Sequence, residues 1–353
     1  MYRIILIIII CLLTSVASPA DRTAYQPTIR LVAVGDMMLG RGVAHKIIKN
    51  GPDWLLENVK PVFKDADIIF GNLESPLTSN KSLPRKGFGF TGDPEMPRWL
   101  KMYGFNVLSV ANNHAFDRGV DAIKDTLDSL SKYGIAAPGG GIHPYEPYQP
   151  KIVNIHETKF AFFAAENIVQ FDSTSGKYGV AYIDLKKLIP EIKKVRDEVD
   201  YIIVSLHWGV EYAKRPSNEQ IHIAHNLIDN GVDIVLGHHS HVIQGMERYK
   251  DGLIIYSLGN FAFDQKDERT KRSIVVAIDF YPMNRWFANP MVTPIAIREY
   301  RPVLDFSPTG DKTITELKEY GKEFGKDGLI EFCNIAPKEF KSTLPLPSDI
   351  LNK

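Results

Sequence analysis

The chain has 353 residues, with 42 basic and 42 acidic side chains, and 44% of it is hydrophobic. That length and apolar content suffice for a substantial core, and the balanced charge excludes a general nucleic-acid-binding surface. Its two cysteines are Cys11 and Cys333; Cys11 sits in a segment expected to be removed, so an intramolecular disulfide is excluded and stability must come from the core.

Arg3, the apolar run 4–13 and the small residues of 15–20 ahead of Asp21 have the anatomy of a signal peptide over residues 1–20. The run is short for a bilayer span, which needs about 20 residues. The expectation is therefore export to the periplasm or cell envelope, with an uncleaved N-terminal anchor as the alternative. Short Ile- and Val-rich runs at 28–34, 67–70, 106–110, 201–206, 232–236 and 253–258 predict strands covered on both faces.

Between them, apolar residues recur with helical spacing at Val120, Ile123, Leu127 and Leu130, at Leu185, Leu188, Ile189 and Ile192, and at Ile221, Ala224, Leu227 and Ile228. Ser217 with Glu219 and Gln220 predicts a capped start for the last of these helices, and Gly231 its stop. Residues 151–155 and 159–164 predict a hairpin. Strand and helix alternating in this way predict an α/β fold in which the carboxyl ends of the strands share one crevice. Residues 273–280 and 292–298 predict later strands, added antiparallel or forming a second sheet. The main domain is expected over 21–300. The segment 301–353, with a helical candidate at 314–324, is expected to pack on that domain or to dock a partner.

The chemistry gathers at the strand ends. Asp36 follows Gly35, and Glu74 follows Gly71-Asn72-Leu73. Asn113 and His114 follow the third run, with Asp117 close behind. His207 opens His207-Trp208-Gly209-Val210-Glu211, and Gly237-His238-His239-Ser240-His241 closes the series. One histidine at a strand end is ordinarily a hydrogen-bonded core residue, and one aspartate after a glycine an ordinary turn or cap. Ligand-type residues at the end of strand after strand point instead to a metal. Carboxylate, amide oxygen and imidazole suit Zn, Mn or Fe. The stretch 259–264 is expected to line the same crevice, with Phe261 and Phe263 as packing and Asn260 and Asp264 as supports. Lys214 and Arg215 read as solvated surface.

In their order along the chain these motifs resemble the CapA family, the poly-gamma-glutamate capsule biosynthesis proteins related to calcineurin-like metallophosphoesterases. The resemblance rests on Gly-Asp-x-Met-Leu-x-Arg, Gly-Asn-Leu-Glu, Ala-Asn-Asn-His-x-x-Asp-x-Gly, His-Trp-Gly-x-Glu, Gly-His-His-x-His and Tyr-Ser-Leu-Gly-Asn-Phe-x-Phe-Asp, and covers 29–264. It implies a metallophosphoesterase-like layered β-sandwich with mixed sheets flanked by helices. Glu74 would bridge two divalent ions, with Asp36 and His241 on one and Asn113, His207 and His239 on the other. His114, oriented by Asp117, would be the acid that protonates a leaving group, and Arg41, Glu211 and Asn260 would face the substrate. His238 is left over, with a supporting role.

One position departs from the phosphoesterase pattern: a histidine is usual two residues after the first Asp, and here Met38 stands there. A thioether is a poor ligand for such ions, so one ion or two remain open. The function implied is synthesis, export or attachment of an anionic surface polymer such as poly-gamma-glutamate, beside a membrane-bound synthase. The alternatives are a metal-dependent hydrolase of phosphate esters or polymer amides, in which the ion acidifies water to a pKa of about 7, and a non-catalytic binding module.

Overall fold

The computed structural model describes residues 28–80, 89–169 and 179–325, together with the backbone of 333–334. The segment read as a signal peptide lies outside the described residues, as does Cys11. Among the described residues no helix is long and apolar enough to cross a membrane.

In chain order the elements that position the site are β1 (Ile29–Met37), α1 (Arg41–Asn50), β2 (Ile68–Leu73), α2 (Met96–Met102), β3 (Phe105–Ser109), α3 (Val120–Lys132), β4 (Lys151–Ile155), β5 (Thr158–Glu166), α4 (Leu185–Val195), β6 (Tyr201–His207), α5 (Asn218–Asp229), β7 (Ile234–His238), β8 (Met246–Tyr249), β9 (Gly252–Ile255), β10 (Asn260–Ala262), β11 (Arg272–Tyr281), β12 (Met291–Arg298), β13 (Arg301–Leu304) and α6 (Pro308–Gly321). They make two principal mixed sheets. The first has the order β13-β12-β11-β1-β2-β3, with β10 paired to β1, and the second the order β8-β9-β7-β6-β5-β4.

The sheets stack face to face because each central strand is apolar on both sides. Leu31, Ala33 and Phe70 of the first sheet meet Phe162, Ile203 and Leu236 of the second in one buried layer. Phe70 and Phe162 stack there with ring centroids 6.2 Å apart. Val32, Val34 and Leu108 point the other way, towards Val43 of α1, Leu100 of α2 and Leu130 of α3. On the far face of the second sheet Ile202, Val204 and Val235 pack against Leu188 and Ile192 of α4 and Leu227 of α5. The result is the helix-flanked layered sandwich expected.

The late strands join the first sheet antiparallel, β11 beside β1 and β12 beside β11. β13 continues the same sheet from β12, and Ile314, Leu317 and Tyr320 of α6 enter the core between the sheets. The chain from Arg301 to Gly321 is therefore part of this body. The hairpin read at 151–164 is β4 and β5, with Ile155 opposite Thr158. The helix read after Ser217 is α5: Ser217 and Gln220 form a complete capping box.

Candidate metal centre

The centre lies where the carboxyl ends of β1, β2, β6 and β7 meet between the two sheets. β1 shifts register against β2 between Ala33 and Asp36, and an irregularity of this kind re-aims a side chain. The chain after β9 presses close here: a Cβ at Gly35 would stand 1.9 Å from the Gly259 carbonyl oxygen, and the Asp36 amide donates to that oxygen at 2.9 Å. Asp36 is fully buried. Its Oδ1 accepts from Asn72 Nδ2 at 2.9 Å and its Oδ2 from the His239 amide at 3.3 Å. His238 Nδ1 stands 3.3 Å from Oδ1, and His241 Nδ1 3.3 Å from Oδ2.

Glu74 is fully buried as well, and among the described residues neither of its carboxylate oxygens has a hydrogen-bond partner. Its Oε1 lies 3.8 Å from His241 Nε2, 3.9 Å from His114 Nε2 and 4.0 Å from His207 Nε2. A carboxylate buried without donors is costly, and a cation among these atoms would remove the cost. The neighbouring donors fit one: His207 Nε2 is 2.8 Å from Asn113 Oδ1 and 3.1 Å from His239 Nδ1. Ligand atoms that each sit about 2.1 Å from one ion stand about 3–3.5 Å apart. Asp36, Glu74 and His207 each offer a ligand atom within 4.8 Å of the others.

Electrostatics agrees with this donor set. Burial, then repulsion from Asp36, Glu211 and Asp117, raises the Glu74 carboxyl well above its usual range. Burial pushes Asp36 upward too, but the contacts with His238 and His241 outweigh it and hold that carboxyl well below the usual range. Burial, then the neighbouring His239, keeps His207 well below the ordinary imidazole value. Burial, then His241, brings His239 down to about 4. Neutral imidazoles are the form that donates a lone pair to a metal.

The turn after β7 aims its imidazoles at a conformational cost. His239 and His241 have φ of 88° and 57°, a region that costs of order 1–3 kcal/mol for a residue other than glycine. Ser240 between them is held on both sides. Its hydroxyl donates to the Val242 carbonyl and meets Ser257 Oγ, each at 2.8 Å, and its carbonyl accepts from the Tyr212 amide at 2.8 Å. Met38 is buried, and its Sδ accepts from the Gly40 amide at 3.1 Å.

His114 stands at the mouth. Its side chain is 20% exposed, whereas those of His207, His238 and His241 are 3% or less. His114 Nδ1 is 2.8 Å from Asp117 Oδ2, which also accepts from the Phe90 amide at 2.7 Å. The Phe90 ring stacks on the imidazole with centroids 3.9 Å apart, and the Arg41 guanidinium lies over the Phe90 ring, 4.5 Å from its centroid.

The structure thus brings together Asp36, Glu74, Asn113, His114, Asp117, His207, His239 and His241. Of the three residues expected to face a substrate, two have partners within the protein and one is exposed. Arg41 is bound to Asp264, so its charge is already answered within the protein. Asn260 is committed to His241, accepting from Nδ1 at 2.9 Å, while its amide donates to Gln265 Oε1 at 2.9 Å. Glu211 is exposed on the turn after β6. Three contributors escaped the sequence reading. Asn72 and Asn112 were written inside the motifs beside their better-known neighbours. Phe90 carried no signal at all, whereas Phe263, expected as packing in the crevice, meets His241 with 4.9 Å between centroids.

The sequence profile of the bacterial capsule synthesis protein family PGA_cap matches residues 30–265, a span that contains every residue of the centre. The PGA biosynthesis protein CapA of Bacillus subtilis (strain 168) is 33% identical over 294 residues, which cover 81% of this chain and 76% of that protein. The capsule biosynthesis protein CapA of Bacillus anthracis is 32% identical over 284 residues, covering 78% of this chain and 69% of that one. Among solved structures, a phosphatase of Mycoplasma pneumoniae has a TM-score of 0.48 at 15% identity, over 81% of this chain and 97% of its own.

Proposed function

Because the chain belongs to the bacterial capsule synthesis family PGA_cap, we propose that it is an exported protein serving the synthesis, export or attachment of poly-gamma-glutamate or a similar anionic polymer, with a divalent metal centre between its sheets. The observation that carries the metal centre is Glu74, a buried carboxylate with no donor, surrounded by imidazole nitrogens. Glu74, Asn113, His207 and His239 would hold one ion, with Asp36 and His241 available to a second. Mn, Zn or Fe fits this donor chemistry. A membrane-bound synthase is the partner this role calls for.

A second reading, metal-dependent hydrolysis of a phosphate ester or of a polymer amide, is favoured by the His114–Asp117 pair. Asp117 accepts from His114 Nδ1 and keeps Nε2 as the atom that gives or takes a proton, 3.9 Å from Glu74. Phe90 fixes the ring plane and leaves its edge open at the mouth, as a general acid needs. A divalent ion bound here supplies Lewis acidity, polarising the attacked group and acidifying water.

The test is metal analysis of the purified protein, followed by assay on phosphodiesters and on polyglutamate. His207→Ala is expected to lose metal; His114→Ala is expected to keep metal and lose any hydrolysis. A folded wild-type protein that takes up no Mn, Zn or Fe sinks the metal centre. Hydrolysis at the wild-type rate in both variants sinks the catalytic reading and leaves the polymer role.

A further inference from the structure

A cavity of about 450 Å³ opens beside the metal centre, between the stretch after β10 and the turn joining β12 to β13. Volumes of about 300–1,000 Å³ are those of ordinary small-ligand sites. Phe263, Ile297 and Tyr300 line it with apolar surface, and Lys266, Lys271 and Arg298 bring three cations to its wall. Lys271 is paired with Glu268, and Glu299, the acid on the wall, is paired with Lys46 at 3.0 Å. Lys266 and Arg298 are exposed, and among the described residues neither side chain has an ion pair or hydrogen bond. Two cations without an acidic partner therefore stand above an apolar floor.

Two further observations tie the cavity to the centre. Phe263 is shared: one side lines the cavity and the other meets His241 edge-on. Asn260 accepts from His241 Nδ1 and donates to Gln265, which also lines the cavity. The turn on the opposite wall is strained, for Glu299 and Tyr300 have φ of 51° and 77°, where such two-residue hairpin turns favour Asn and Gly. The Tyr300 carbonyl accepts from the Phe263 amide at 3.2 Å, which holds the turn against the stretch that carries Phe263.

We propose that this cavity is a binding subsite for a carboxylate-bearing polymer, whose acid groups pair with Lys266 and Arg298 while its chain crosses Phe263 towards the metal centre. The proposal rests on the polymer role above and adds where the chain lies. Unpaired ammonium and guanidinium groups bind carboxylates by charge-assisted hydrogen bonds, and the apolar floor takes the methylenes between successive acid groups.

The experiment measures binding of fluorescein-labelled poly-gamma-glutamate oligomers to the metal-loaded protein by anisotropy, with inorganic polyphosphate as a competitor. The wild type is compared with Lys266→Glu/Arg298→Glu, the milder Lys266→Gln/Arg298→Gln, and Lys64→Glu, an exposed charge at the opposite end of the strands. All are checked for unchanged metal content and melting. The double reversal is expected to weaken binding about tenfold or more, the neutral pair by less, and Lys64→Glu hardly at all. The wild-type affinity should fall as salt rises.

Wild-type affinity retained in the double reversal overturns the subsite and leaves the polymer role standing. No polyglutamate binding by metal-loaded wild type overturns the polymer role itself, and the subsite with it. Polyphosphate displacing the oligomer at far lower concentration than unlabelled polyglutamate overturns the assignment to a carboxylate chain.

Discussion

At position 238 an imidazole is fully enclosed between the sheets, 3.3 Å from Asp36 Oδ1, and neither ring nitrogen has a hydrogen-bond partner. Its ring lies against Phe70, 5.9 Å between centroids, a placement suited to supporting Asp36. Groups that orient a ligand are worth about 10–100-fold in metal affinity. His238→Phe, which keeps the ring and removes the nitrogens, is therefore expected to weaken Mn or Zn binding by about that factor in a calorimetric titration while the fold persists. Unchanged affinity would reduce His238 to packing. The three histidines of this cluster are plain in the sequence as ligand types, and the family resemblance also implies their division of labour, His239 and His241 as ligands and His238 in support. It follows from strand parity: His238 is the last residue of β7 and shares the inward face of Ile234 and Leu236, while His239 and His241 lie beyond the strand in left-handed conformations.

Among the elements, α5 and β1 show two kinds of constraint. The capping box of α5 satisfies two backbone groups at its start, and it was legible from Ser217 and Gln220 alone because capping is a local interaction. Ser217→Ala is expected to cost about 1 kcal/mol in urea denaturation, with metal affinity unchanged because α5 contributes no ligand. β1 is constrained from outside the element. A Cβ at Gly35 would meet the Gly259 oxygen at 1.9 Å, and one at Gly237 would meet the Tyr256 oxygen at the same distance. Gly35→Ala is expected to destabilise the protein by about 1–3 kcal/mol, as overpacking does, and also to weaken metal binding by shifting Asp36. A melting temperature equal to that of the wild type would mean that β1 and the chain before β10 separate freely. Nothing near Gly35 in the sequence announces this contact, because its partner lies more than 200 residues away.

For the molecule as a whole, the centre is a place where two sheets are held together around buried charge. Asp36 and Glu74 enter from the first sheet, His207, His239 and His241 from the second. A metal that binds only the folded state should stabilise it by about 2.7 kcal/mol at 100 times its Kd. The melting temperature is accordingly expected to rise on titration with Mn or Zn and to fall back with a chelator; a melting curve indifferent to both would separate the centre from the stability of the sandwich. The sequence by itself determined the strand-and-helix alternation, the hairpin, the cap and the kinds of ligand at each strand end, because periodicity, capping and motif chemistry are encoded within a few residues. Only the tertiary structure decided that Asp264 has taken Arg41, that Asn260 serves His241, and that Glu74 has no donor. Those outcomes depend on which side chains meet when strands distant in sequence are brought side by side and the two sheets are stacked through Phe70, Phe162 and their neighbours.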